Sequence, residues 1–174
     1  MKALQKKILL SETYRQSSIN RGRFLETDPD NRLLARAPRF RHSAEEIRDT
    51  ALAVSGLLNR KIGGPSVKPY QPDGYLSSIG KKWKVAQGES LYRRGLYTFW
   101  RRTMLYPSFQ IFDAPSREFC SVDRPRTNTP LQALVTLNDE AFIEAAGGLA
   151  PRPLSEPAGA GDFVRAVRLA LARH

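Results

Sequence analysis

The residues best equipped for chemistry lie together between positions 113 and 128: Asp113, Ser116, Arg117 and Glu118, then Arg124, Arg126, Thr127 and Asn128. Two carboxylates at a suitable separation, Asp113 and Glu118, could do general acid/base work on a glycosidic bond. Arg117, Arg124 and Arg126 could hold an anionic sugar through paired guanidinium hydrogen bonds, with the amide of Asn128 among the small polar groups such a site uses. The same residue types also serve structure. Asp113 can cap a turn, Arg117 can pair with Glu118 or Asp123, and Asn128 and Thr129 can satisfy the free amides at the start of a helix. Both readings stay open, because the chain order does not set the carboxylate separation.

Other chemistries find fewer of the groups they need. Ser116 as a nucleophile requires a base, and the two histidines are His42 and the last residue, His174. Cys120 is the only cysteine, so the chain offers no intrachain disulfide, no paired-cysteine zinc site and no Cys-x-x-Cys-His haem attachment. We expect no metal and no cofactor in this chain. Gly63-Gly64-Pro65-Ser66 could cradle an anion on backbone amides, but it lacks the lysine and hydroxyl ending of a phosphate loop and suits turn chemistry better. Among the aromatic residues Tyr70, Tyr75, Trp83, Tyr92 and Trp100, Trp83 stands between Lys82 and Lys84 and is the expected exposed face for stacking a ligand ring.

The elements that must position these groups follow from pattern. With 174 residues, 41% of them hydrophobic and 26% charged, the chain suits one globular unit with a real core. Leu4, Ile8 and Leu9 recur at helical spacing, which predicts an amphipathic helix over 2–17 continued by Tyr14. Asp28-Pro29 reads as a helix start, with Leu33 and Leu34 anchoring a short helix that Pro38 ends. Ser43-Ala44-Glu45-Glu46 matches a capping box before the apolar face Ile47, Ala51, Leu52, Val54, Ser55 and Leu58. The prolines and glycines of 63–88 forbid a long helix, leaving Ser66–Tyr70 as a short edge strand. Leu96–Trp100 is rich in β-favouring residues and predicts a buried strand.

Asp113–Glu118 opens a short helix or a tight turn, and Thr129-Pro130 starts a long helix with Leu131, Leu134, Val135, Leu137, Phe142, Ile143 and Ala146 facing the core and Gly147-Gly148 ending it. The expected architecture is mainly α, a helical domain with a small two- or three-stranded β element in the middle. Residues 1–148 form the main body, 149–161 a linker and 162–174 the start of a C-terminal helix. Both ends read as cut. No stretch has the roughly 20 consecutive apolar residues of a membrane-spanning helix, and the first ten residues are too short in apolar content for a signal peptide.

Six strings occur in order: Leu10–Ser18, Asp28–Arg36, Ile62–Val67, Leu96–Trp100, Phe112–Glu118 and Arg124–Leu134. Together they resemble an uncharacterised C-terminal domain of large planctomycete proteins, from about Lys2 to Ala146. That family has no established activity to carry over. The resemblance implies parent proteins that often hold a cytochrome-c-like haem domain and a second uncharacterised domain. It further implies an extracytoplasmic setting near sulfatases and other polysaccharide-degrading functions.

The net charge of +11, mostly from arginine, calls for an anionic partner: nucleic acid, acidic glycan, or an acidic surface of the parent protein. The basic residues are spread along the chain and form no groove-reading motif, which argues against nucleic acid. The expected function is a non-catalytic recognition or scaffold module of a larger extracytoplasmic protein, binding anionic polysaccharide. The alternatives are a polysaccharide-active enzyme built on Asp113 and Glu118, and nonspecific nucleic-acid binding.

Overall fold

In the computed structural model the described residues are 1–19, 24–72, 83–102 and 105–151. The chain divides into two compact units, Met1–Arg41 and His42–His174.

In the first unit, α1 (Lys2–Leu9) is shorter than its apolar periodicity predicts and buries none of its residues. The chain turns at Leu10, whose amide donates to the carbonyl of Lys6. A single helical turn, α2 (Phe24–Thr27), precedes Asp28. Asp28-Pro29 does not start a helix. The buried Asp28 carboxylate instead accepts from the amides of Arg32 and Leu33, each at 2.8 Å, which keeps its pKa below the usual carboxylate value. Asn31 and Leu34 both take positive φ, so the backbone reverses where a helix would have continued. Arg36 closes the loop, donating to the carbonyls of Asp28 at 3.1 Å and Pro29 at 2.7 Å. The sequence signal was a cap, and the structure spends it on a turn.

The second unit is built on α3 (Ala44–Ser55). Its predicted capping box is present: Glu46 N–H donates to Ser43 Oγ, and Ser43 N–H donates to Glu46 Oε2 at 2.8 Å. The Ser43 amide and hydroxyl hold the Glu46 carboxyl below its ordinary pKa. Gly56 ends the helix in the left-handed conformation at φ 81°. The buried stripe is Ala44, Arg48, Leu52 and Ser55, so an arginine takes one place on the inner face.

A five-residue helix, α4 (Pro107–Ile111), carries the centre of the core, where Phe109 is 1% exposed. Pattern reading misses it because it is so short; Pro107 at its first turn was the available signal. Leu105, Tyr106, Phe109 and Phe112 cluster with Ala44 of α3, and Ile47, Trp100, Val135 and Phe142 pack around them. Tyr106 and Phe112 meet Phe109 and Phe142 edge-on, with centroid distances of 5.2 and 6.1 Å.

The long helix expected from Thr129 is two helices, α5 (Pro130–Asn138) and α6 (Glu140–Leu149). Asp139, extended at φ −71°, ψ 128°, breaks the run and caps α6 by accepting from the Ala141 amide at 2.9 Å. The break rotates the apolar positions. Val135 and Phe142 reach the core, whereas Leu131, Leu134, Leu137 and Ile143, expected inside, are more than half exposed. Gly147 and Gly148 do not end the helix. A Cβ on Gly148 would lie 3.3 Å from Ser55, so the glycine lets α6 run close against the end of α3.

The expected two- or three-stranded β element is not formed: no residue among those described belongs to a strand, and the isolated bridges include the parallel pairs Asn59 with Arg93 and Val67 with Thr98. Gly88–Tyr92 and Gly95–Tyr97 are 3₁₀ turns. The β-favouring side chains of 96–100 have the composition of a strand, but a strand needs a ladder. Gly95 is instead held by Asp49, whose Oδ1 accepts its amide at 2.6 Å. A Cβ at Gly95 would lie 2.9 Å from the backbone of Glu45, so glycine allows this segment to pass directly over the first turn of α3. The mainly α character holds. The expected linker begins at 149, but Leu149 is the last residue of α6; the rest of that linker from 152 and the expected final helix lie outside the described residues.

Candidate functional site

The loop from 113 to 128 is tied down at its two ends and open in between. Asp113 has φ 61°, and its carboxylate accepts from the amide of Thr127 at 2.8 Å and from the Thr127 hydroxyl at 2.9 and 3.0 Å. The buried Gln132 of α5 completes the clamp, donating from Nε2 to the Ile111 carbonyl at 2.9 Å and the Thr127 hydroxyl at 3.1 Å. Asp113 therefore ties the end of α4 to the approach to α5. The exposed Glu118 stands five residues on, and its amide donates to Ser116 Oγ at 3.3 Å.

The middle of the loop carries the arginines. Arg117, also at positive φ, lays its guanidinium 4.1 Å from the centre of the Trp100 ring. Arg124 holds Glu45 of α3 with both carboxylate oxygens 3.1 Å from Nη1. Arg117 and Arg124 line one open hollow together with Arg102, Pro115, Glu118, Phe119 and Ser121. Asp113 is not in its lining, so three arginines and one acidic residue, Glu118, border the hollow, with the Arg124 guanidinium already paired to Glu45. Arg126 and Asn128 are exposed further along and do not line it. Arg102 was visible in the sequence only as one of two arginines after Trp100; its place beside Arg117 and Arg124 is set by the fold.

Trp83 is half-buried and packed. Its indole N–H donates to the Pro69 carbonyl at 2.7 Å, Phe99 meets it edge-on at 6.0 Å, and the Lys68 ammonium lies 5.5 Å from its centroid. The Gly63-Gly64-Pro65-Ser66 segment is turn chemistry. Its carbonyls face inward, and the buried Arg93 donates to Lys61 O at 3.2 Å, Gly63 O and Pro65 O at 2.9 Å. Tyr97 lies under that guanidinium at 3.7 Å and accepts the Gly63 amide at 2.8 Å. A loop whose carbonyls converge on a cation presents the wrong dipole to an anion. His42 faces Glu46 at 3.6 Å in an exposed pair, and Ser116 Oγ accepts the Glu118 amide.

Among the described residues no group of three or more histidine, cysteine, aspartate or glutamate side chains is placed to hold a metal ion. No helix among them is long and apolar enough to cross a membrane.

What the fold and loop define is a mainly helical domain with an arginine-lined surface. The chain belongs to the PSD1 family, described as "Protein of unknown function (DUF1553)", which matches residues 1–174. No curated protein and no solved structure matches it.

Proposed function

We propose that the chain is a recognition module of a larger, extracytoplasmic protein, and that the hollow of 102 and 115–124 binds an anionic polysaccharide. The observation that carries this reading is the convergence of Arg102, Arg117 and Arg124 on one open surface beside Glu118. Guanidinium forks take sulfate or carboxylate bidentately, and a carboxylate accepts sugar hydroxyls. Phe119, 75% exposed in the same lining, offers a flat apolar face for a pyranose ring. An open hollow suits a chain that passes across it better than a small molecule needing enclosure.

The enzyme reading is favoured less. Asp113 spends its carboxylate on Thr127, and Glu118 is the one carboxylate in the hollow, so no acid/base pair faces a common ligand. A haem domain and other flanking domains remain the proposed partners within the parent protein.

Affinity for sulfated and uronic-acid glycans, with duplex DNA as the charge control, tests the proposal at low and near-physiological salt. Binding of one glycan class that survives salt and weakens in Arg102→Gln supports it. Equal, salt-erased binding of glycan and DNA overturns it in favour of nonspecific charge attraction.

A further inference from the structure

Arg48 is an arginine in the wrong place for a structural ion pair. It lies on the inner face of α3 and is 6% exposed, yet no described carboxylate pairs with it. Among the described residues its guanidinium donates from Nη2 to the Leu91 carbonyl at 2.7 Å, and its Nε is buried with no partner. A buried guanidinium that lacks a counter-charge is costly and normally finds one.

The residue lines a cleft of about 50 Å³ between α3, α6 and the 85–92 segment. Leu52, Pro69, Val85 and Leu91 give the cleft apolar walls, and Glu140 and Glu144 of α6 also line it. These two carboxylates sit one helical turn apart on the same side of α6. Glu144 is fixed by the Tyr92 hydroxyl, which donates to it at 2.5 Å, while the exposed Glu140 carboxylate has no hydrogen bond or ion pair among the described residues. The cleft thus presents one buried cation and two carboxylates that do not neutralise each other directly, separated by space.

A simple anion would meet Arg48 but also both glutamates, and a simple cation would leave Arg48 unpaired. A molecule carrying both charges answers both. We infer that this cleft binds a small zwitterion of amino-acid type, its carboxylate on Arg48 and its ammonium on Glu140 and Glu144. The apolar walls and the small volume select a short apolar side chain. The site is separate from the arginine hollow and does not depend on it.

The test titrates the full chain with L-alanine, acetate and methylamine, following amide chemical shifts of residues 48–52, 85–92 and 140–144. L-Alanine is expected to bind saturably and at least about tenfold more tightly than either single-charge probe, since each adds only one charge-assisted contact. Val85, 38% exposed on an irregular segment, tolerates enlargement. Val85→Trp should close the cleft and remove binding without unfolding α3, and Glu140→Gln should weaken L-alanine while leaving acetate no weaker. Absence of saturable L-alanine binding, equal binding of acetate, or binding unchanged in Val85→Trp each overturns the inference.

Discussion

Two loops of the second unit meet arginine side chains in opposite ways. At 61–65 the backbone wraps its carbonyls around the buried Arg93. At 115–124 Arg117 and Arg124, with Arg102, stand around an open hollow. The first loop is held in shape by its cation. The second is held at its base by Asp113, Thr127 and Gln132, and the arginines of its middle are exposed residues whose guanidiniums rest on the Trp100 ring (Arg117) and against Glu45 (Arg124). Residue type therefore says little about an arginine's role; the direction of the neighbouring carbonyls and the depth of the guanidinium say most of it.

The largest expected effect belongs to Arg93. Arg93→Met removes the donors for three carbonyls and should cost about 3 kcal/mol, read by denaturant unfolding. A variant as stable as the parent would erase the contrast between the two loops. Asp113→Ala comes next, at about 2 kcal/mol, because it loses the Thr127 bonds and places alanine at positive φ. Asp113→Asn, which tolerates that φ, should recover part of the loss. Glu118→Gln should stay within about 0.5 kcal/mol of the parent. If Asp113→Ala melts unchanged while a glycan-cleaving activity disappears, the clamp is catalytic and the enzyme reading returns.

Buried polar groups of this unit should also differ from open ones in titration. Burial, then the nearby Asp139 charge, pushes the Tyr106 hydroxyl up to about 12. Because the folded pKa lies above the ordinary value of 10.0, the stability Tyr106 contributes is complete below that value and is lost as pH rises towards 12. Tyr106→Phe should flatten this alkaline loss in equilibrium unfolding, and an unchanged slope would show that other groups cause it. The smallest structural effect is expected at Arg102→Gln, within about 0.5 kcal/mol. Its anion affinity should nonetheless fall several-fold, a split that Arg93→Met would not show because that variant disturbs folding first.

Local signals carried the fold where a few neighbouring residues complete the physics. The Ser43 to Glu46 box started α3 as read, and Thr129-Pro130 started α5. Reading failed where two local signals competed. Asp28-Pro29 has a cap's chemistry but closes a turn, and Asn138-Asp139-Glu140, a helix-start pattern, lies inside an apolar run that also reads as one continuous helix. Residues 96–100 show why β-favouring composition is a weak guide: without a partner strand in register, Val67 and Thr98 make one bridge and no ladder. In the candidate site, the nearness of Arg117 to Arg124 was legible from chain order. The loss of Asp113 to Thr127 and the arrival of Arg102 were not, since both depend on where the loop folds back.

The sequence by itself determined the helical character, the caps of α3 and α5, the arginine excess and the family, because each rests on contiguous residues or on composition. Only the tertiary structure decided which arginines are buried, which apolar stripe of α5 faces the core, and which carboxylates meet a common space. Those outcomes depend on contacts between residues far apart in the chain, such as Arg93 with Lys61 and Arg124 with Glu45, whose strength is set by burial and direction that chain order does not encode.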